Sequence, residues 1–319
     1  MSVASANNDA AWFQAISTGD VACCGRMLLS GFNVDTTQKR WTGLLIAAWN
    51  GNVSLVNLLL KYKANINAQQ SDGSTPVYIA CQKGFTDLVK LLLAHKADIS
   101  IARNCGATPL YICAQEGRFT EATLLLQSGA SPNTMRHDGS HAFYIACRNN
   151  HLQVAEALVK YKADVNLPHP SNGATGLYVA CQERHMEIIK FLLQVPAVDV
   201  NQSTSSGHSP LHVAALTSNV YIMQLLLDNG ATLDRQNCAG EVCVFFCFDF
   251  SDTRALDTTV VCSCEKCRSI GDLSAQKRSG SIHSNCSYFF MSSGSANVSE
   301  YKTNSRFIDQ TSSYTSGTV

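Results

Sequence analysis

Charge is scarce in this chain, and neither sign prevails. Of 319 residues, 24 are Lys or Arg and 24 are Asp or Glu. There is thus no net field to draw in nucleic acid or an anionic membrane surface, and neither is expected as a partner. Long apolar runs are missing too: the longest, Val242–Phe248, falls far short of the roughly 20 residues that cross a bilayer. The opening MSVASANNDA lacks the basic start and apolar run of a secretory leader. The cytoplasm, with the nucleus second, is the expected location. No Gly-rich phosphate loop, HExxH pair or Ser/His/Asp arrangement is present, so no enzyme, catalytic residue or cofactor is expected. What the chain does have is 45% hydrophobic residues, enough to bury a sizeable core.

Those residues recur. TGLLIAAWNG starts at Thr42, TPVYIACQKG at Thr75, TPLYICAQEG at Thr108, HAFYIACRNN at His141, TGLYVACQER at Thr175 and SPLHVAALTS at Ser209, with offsets of 33, 33, 33, 34 and 34. Each block leads into a second apolar segment, from LVNLLL at Leu55–Leu60 to IMQLLL at Ile222–Leu227, and then into a phrase such as KANIN, KADVN or GATLD. In the first block apolar residues fall at helical spacing. A small pair in each (Ala47–Ala48, Ala80–Cys81, Cys113–Ala114, Ala146–Cys147, Ala180–Cys181, Ala214–Ala215) lets two helices approach closely. The second block carries leucines at i, i+3 and i+4, the inner stripe of a partner helix. Burying each such Leu contributes roughly 1.5–3 kcal/mol. One helix pair has nothing to bury its stripe against, so at least about three must stack. Ala10–Asp35 is a shorter version of the pattern and is expected to form a capping helix pair without a finger.

The pattern resembles the ankyrin-repeat family over roughly Asp9 to Gly240. The resemblance implies an all-α solenoid of stacked helix-turn-helix units with β-hairpin fingers, whose role is to hold protein partners. The expected organisation is a flexible stretch 1–8, an ankyrin domain 9–240 and a tail 241–319. The domain holds the capping pair and six repeats starting near 39, 72, 105, 138, 172 and 206. TPLYICAQEG and TGLYVACQER look like blocks of the ankyrin and SOCS-box family, which recruits elongin and cullin through a C-terminal box containing Leu-Cys-Pro. No such box is visible in 241–319. The alternative expectation is therefore a substrate receptor related to those ubiquitin-ligase adaptors, as an isoform without the recruiting box. Either way the chain is expected to be monomeric.

Three departures from the family pattern stand out. Tyr78, Tyr111, Tyr144 and Tyr178 replace the usual His, which only His212 retains; each Tyr is expected to pack its ring and hydrogen-bond through its hydroxyl. The glycine between the helices, present at Gly51, Gly84 and Gly117, gives way to Asn150, Arg184 and Ser218. In a left-handed backbone Arg and Ser cost about 1–2 kcal/mol each, so the C-terminal half is expected to be the looser half. The two longer spacings place one extra residue in the finger Leu167–Gly173 and another in Val195–Asp199.

After Gly240 the repeat fails in mid-unit. VCVFFCF (Val242–Phe248) stands where an inner helix is due, and serine enrichment argues for disorder beyond about Ser269. The junction reads as a non-homologous end of the kind that alternative splicing or read-through produces. Cys262, Cys264 and Cys267, with Cys243, Cys247 or Cys286 as a fourth ligand, have the residue types for zinc. Without a second CxxC at finger spacing, incidental thiols are the expectation, and no metal site is assigned. Cys81, Cys147 and Cys181 sit at core alanine positions and are expected as buried thiols rather than nucleophiles.

The family's concave surface is built from finger tips and the exposed ends of the first helices. Projected here, partner-binding positions are Arg40, Trp41, Trp49, Asn50, Asp72, Gln82, Lys83, Gln115, Glu116, His137, Asp138, Arg148, Asn149, Gln182 and Glu183. Trp41 and Trp49, beside Lys39 and Arg40, make the leading hot-spot candidate, since Trp and Arg dominate binding energetics; the competing reading packs one ring as core. Arg148, Tyr144 and His137 form a second cluster.

Overall fold

A computed structural model describes residues 3–240. The chain divides into two units, Met1–Thr232 and Leu233–Val319. Of the second, only 233–240 are described, a turn in which the Gly240 N–H donates to the Asn237 carbonyl (2.9 Å). The tail with its cysteine cluster and the VCVFFCF segment lies outside the described residues.

The first unit is a two-layer stack of helix pairs. Helices α1 (Val3–Thr18) and α2 (Val21–Leu29) form the first pair. The inner helices α3 (Gly43–Trp49), α5 (Pro76–Lys83), α7 (Pro109–Glu116), α9 (Ala142–Arg148), α11 (Gly176–Glu183) and α13 (Pro210–Leu216) stack in succession. So do the outer helices α4 (Val53–Lys61), α6 (Thr86–Ala94), α8 (Phe119–Gln127), α10 (Leu152–Lys160), α12 (Met186–Leu193) and α14 (Val220–Asp228). Helix α1 begins at Val3, ahead of the Asp9 at which the repeat pattern sets in.

Five of the six inner helices, α9 excepted, start where a threonine or serine oxygen accepts the N–H three residues on, as Thr75 does from Tyr78 (3.3 Å) and Thr108 from Tyr111 (3.2 Å). Pro76, Pro109 and Pro210 take the first helical position, where a missing N–H is harmless. The small pairs are fully buried except for the half-buried Ala215 of the last repeat, and the outer-helix stripe, for example Leu55, Val56 and Leu59, is buried with them. Cys81, Cys147 and Cys181 sit in this core, and every described cysteine is a free thiol. Burial pushes the Cys147 and Cys181 thiols far above the ordinary range, which withholds the reactive thiolate.

The fingers are tighter than the β-hairpins the family pattern implies. Among the described residues, paired strands occur only at β1 (Thr37–Gln38) and β2 (Trp41–Thr42), with one lone bridge from Met135 to His141. In the second, fourth and fifth fingers an Asp or Asn side chain accepts the N–H two residues on, as Asp72 does from Ser74 (2.9 Å) and Asn172 from Ala174 (3.0 Å), and each finger from the second to the sixth is closed by a backbone bond, such as Gln70 N–H to the Ser74 carbonyl (2.9 Å). Neighbouring fingers are stitched by backbone bonds: Asn104 N–H to Asp72 (2.9 Å), His137 N–H to Cys105 (3.1 Å) and Ser205 N–H to Asn172 (2.8 Å). Between the fourth and fifth fingers the ring of Pro170 stands against Gly139 instead, closing its Cβ space to 2.0 Å. Proline has no N–H to donate, so this stitch is missing. The finger itself is one residue longer, closing from His169 to Ala174 where the fourth closes from Arg136 to Ser140.

Asn150, Arg184 and Ser218 adopt φ of 62°, 63° and 53°, the left-handed backbone that favours glycine. Ser218→Gly is expected to raise stability by about 1 kcal/mol. Arg184→Gly gains less, because the Arg184 guanidinium donates to the Thr217 carbonyl (2.8 Å). Equilibrium urea denaturation checks both, and an unchanged midpoint for Ser218→Gly contradicts the strain argument.

Candidate functional site

The last turn of each inner helix and the adjoining finger present side chains on one face of the stack. None of the projected partner-binding residues is buried. Several are spent on the fold itself. Asp72 pairs with Arg103, and Asp138 pairs with Arg136 (2.9 Å) while accepting from the Ser140 hydroxyl (2.6 Å). Burial alone would raise both carboxyls; the backbone and hydroxyl of the following serine and the neighbouring arginine outweigh it and hold both below the ordinary value. Asn149 donates to the Gln115 carbonyl (2.9 Å), while the Gln115 and Gln182 amides donate to Glu116 (3.1 Å) and Glu183 (3.2 Å).

The first two repeats offer the broadest aromatic surface. Trp41 and Trp49 meet edge to face with centroids 5.9 Å apart, and the Lys83 ammonium lies 3.9 Å over the Trp49 ring. Trp49 is 45% exposed, while Trp41 is half-buried. Lys39 and Arg40 form the tip of the β1–β2 turn, both exposed and both left-handed, at φ 50° and 65°.

Beneath the face runs a row that repeat projection missed. Arg103 lies over the Tyr78 ring (5.3 Å), Arg136 over Tyr111 (5.8 Å), and the His169 ring against Tyr144 (5.1 Å). The Tyr78 hydroxyl accepts from Arg103 (3.5 Å), and the Tyr111 hydroxyl from Ser140 (3.1 Å). The signal was present in the spacing, since residues 103, 136 and 169 are each 33 apart. Tyr144 is buried, so the second cluster of Arg148, Tyr144 and His137 loses its aromatic as a contact residue.

His141 stands where other repeats carry a capping Thr or Ser. Its Nδ1 accepts from the Tyr144 N–H (3.4 Å), which leaves Nε2 to donate to the Leu167 carbonyl (3.2 Å). Burial and His169 lower its pKa against the opposing pull of the Leu167 carbonyl and Asp164. The unfolded chain therefore binds a proton near the ordinary His pKa of about 6.5 that the folded chain resists. Stability is full above that value and is lost as pH falls below it. The thermal midpoint is expected to drop between pH 7.5 and 5, and His141→Thr is expected to flatten the drop. Identical pH profiles for the two proteins contradict the assignment.

Among the described residues, no His, Cys, Asp or Glu cluster is placed to hold a metal, and no helix is long and apolar enough to cross a membrane. A family model that comprises three copies of the ankyrin repeat matches at four overlapping ranges, residues 2–70, 44–136, 78–169 and 143–237. No curated protein matches. Among solved structures, the crystal structure of the human ASB11 ankyrin repeat domain is similar, with 28% identity, coverage of 64% of this chain and 90% of that one, and a TM-score of 0.57.

Proposed function

The chain belongs to the ankyrin-repeat family, and on that premise we propose that it is a non-catalytic adaptor that holds a protein partner on the face built by inner-helix ends and finger tips. Ankyrin repeats are in general protein–protein interaction modules. The observation that carries the finer reading is the exposed Trp49, braced by Trp41 and Lys83 at the N-terminal end of that face. The bracing pre-organises the ring, so binding loses little side-chain entropy. The buried, protonated thiols of the inner helices support a scaffold rather than a nucleophile. A monomer in the cytoplasm or nucleus goes with this reading.

A second reading, favoured by the likeness to the ASB11 ankyrin repeat domain, is a substrate receptor of the ubiquitin-ligase adaptor kind. Residues 241–319 contain no Leu-Cys-Pro.

Purification of the tagged full chain from lysate of its native cells, with mass spectrometry of co-purifying proteins, tests both readings. A specific protein that Trp41→Ala/Trp49→Ala loses by about 30-fold or more, the equivalent of one hot spot of about 2 kcal/mol, supports the adaptor. A partner set indifferent to the double variant contradicts it. Elongin or cullin among the retained proteins promotes the receptor.

A further inference from the structure

We propose that the N-terminal end of this face takes an acidic, extended segment of a partner protein, with carboxylates on Lys39, Arg40 and Lys83 and an apolar side chain on the Trp41–Trp49 step. The proposal rests on the reading of the face as a protein-binding surface and names the chemistry of its occupant.

Charge is the first argument. Four ion pairs occur among the described residues, and none includes Lys39, Arg40 or Lys83. Asp72, on the second finger, is already held by Arg103. Three cations therefore stand by the tryptophans with no carboxylate partner among the described residues.

Backbone geometry fixes where two of these cations stand. A two-residue hairpin tip with positive φ at both central residues is ordinarily built from Asn and Gly. Here Gln38 pairs with Trp41, and the residues between them are Lys39 and Arg40, at φ 50° and 65°. Lys63, Lys96 and Lys162 take the same backbone at φ 61–64°, so the turn does not itself call for a ligand; what it does is set two adjacent cations at an exposed tip beside Trp41.

Spacing sets the shape of the occupant. Lys83 ends α5 of the second full repeat, while Lys39 and Arg40 belong to the first. Arg40 precedes Trp41, whose ring lies 5.9 Å from that of Trp49, and the Lys83 ammonium lies 3.9 Å over Trp49, a path that about three residues of extended chain cover. Two carboxylates flanking a Leu or Phe therefore reach both repeats while the apolar side chain rests on Trp49. A single-stranded nucleic acid also matches aromatic rings with cations, but the tryptophans stand at 85° to one another and Lys83 already covers one face of Trp49. The rings therefore offer no parallel platform for successive bases, and a net charge of zero gives no long-range attraction for a polyanion.

Selection of a phage-displayed library of random 12-residue peptides on the immobilised full chain tests the proposal, with a dT20 oligonucleotide as a separate probe. The expected result is enrichment of peptides carrying two or more Asp or Glu around a Leu, Phe or Tyr. Lys39→Glu/Arg40→Glu/Lys83→Glu is expected to weaken a selected peptide at least 10-fold, and so is Trp41→Ala/Trp49→Ala. All five residues are exposed or half-buried, so unchanged far-UV circular dichroism and melting separate lost binding from lost folding. An uncharged or basic consensus, no enrichment at all, or dT20 binding that the charge reversal abolishes overturns the proposal. Peptides that the charge reversal spares but the tryptophan variant loses overturn the acidic occupant and leave the face standing. Peptides indifferent to both variants sink the face as well.

Discussion

Replacing Phe143 with alanine is expected to lower the stability of the array by about 3–5 kcal/mol. Phe143 is completely buried in α9, at a position where the other inner helices carry Leu44, Val77, Leu110, Leu177 and Leu211. The extra volume is accommodated by the next repeat. At Gly176, the first residue of α11, an added Cβ would stand 2.8 Å from Phe143 Cε1 and 3.0 Å from Cys147 Sγ. The ring and the glycine are thus one packing unit across two repeats. Gly176→Ala alone is expected to cost about 1–3 kcal/mol by overpacking, and Phe143→Leu in the same chain should relieve much of that. Urea denaturation of the four proteins of this cycle gives the coupling directly; strictly additive effects would contradict the shared cavity. Because each repeat touches only its neighbours, Phe143→Ala is also expected to make the array unfold in two separate transitions.

Trp12→Ala is expected to cost a similar 3–5 kcal/mol, with a different consequence. The Trp12 ring is fully buried in α1, lies 4.8 Å from Phe32 between centroids, and covers Gly43, whose added Cβ would meet Trp12 Cζ2 at 3.2 Å. Gly43 opens α3, the helix that ends in Trp49. Loss of the ring is thus expected to fray the helix that carries the partner-binding aromatics, and partner affinity should fall along with stability. Trp12→Phe separates the contributions. The buried indole N–H has no hydrogen-bond partner among the described residues, so removing it relieves a desolvated donor while the ring's core volume is largely kept. Phe should cost much less than Ala, and a loss as large as Ala's would show that the N–H has a partner.

Both of these units show what the sequence made legible and what it did not. The helix pairs were readable because leucines at i, i+3 and i+4 and the small pairs obey a local period. The left-handed turn positions were readable because Gly51, Gly84 and Gly117 mark the place where Asn150, Arg184 and Ser218 later stand. The Trp12–Gly43 and Phe143–Gly176 pairs were not, because each is a deviation in one repeat answered by a deviation in the next, and either half alone looks like drift. The row of Arg103, Arg136 and His169 does keep the 33-residue period, but its partners are tyrosines on inner helices, and the contact exists only once finger and helix are stacked. On the candidate face, exposure of the tip and helix-end positions was legible. Their prior commitments, such as Asp72 to Arg103, were not, since ion pairing between fingers has no sequence period of its own.

The missing stitch at Pro170 has a mechanical consequence. Under tension applied at its two ends, a stacked array extends first at its most compliant joint. The joint between the fourth and fifth repeats keeps its packed helices but lacks the backbone bond that braces neighbouring fingers at Asp72, Cys105 and Asn172. The joint between the first and second fingers likewise carries no such backbone bond. The solenoid is therefore a spring with two softer coils, and under load its curvature changes chiefly at these two joints.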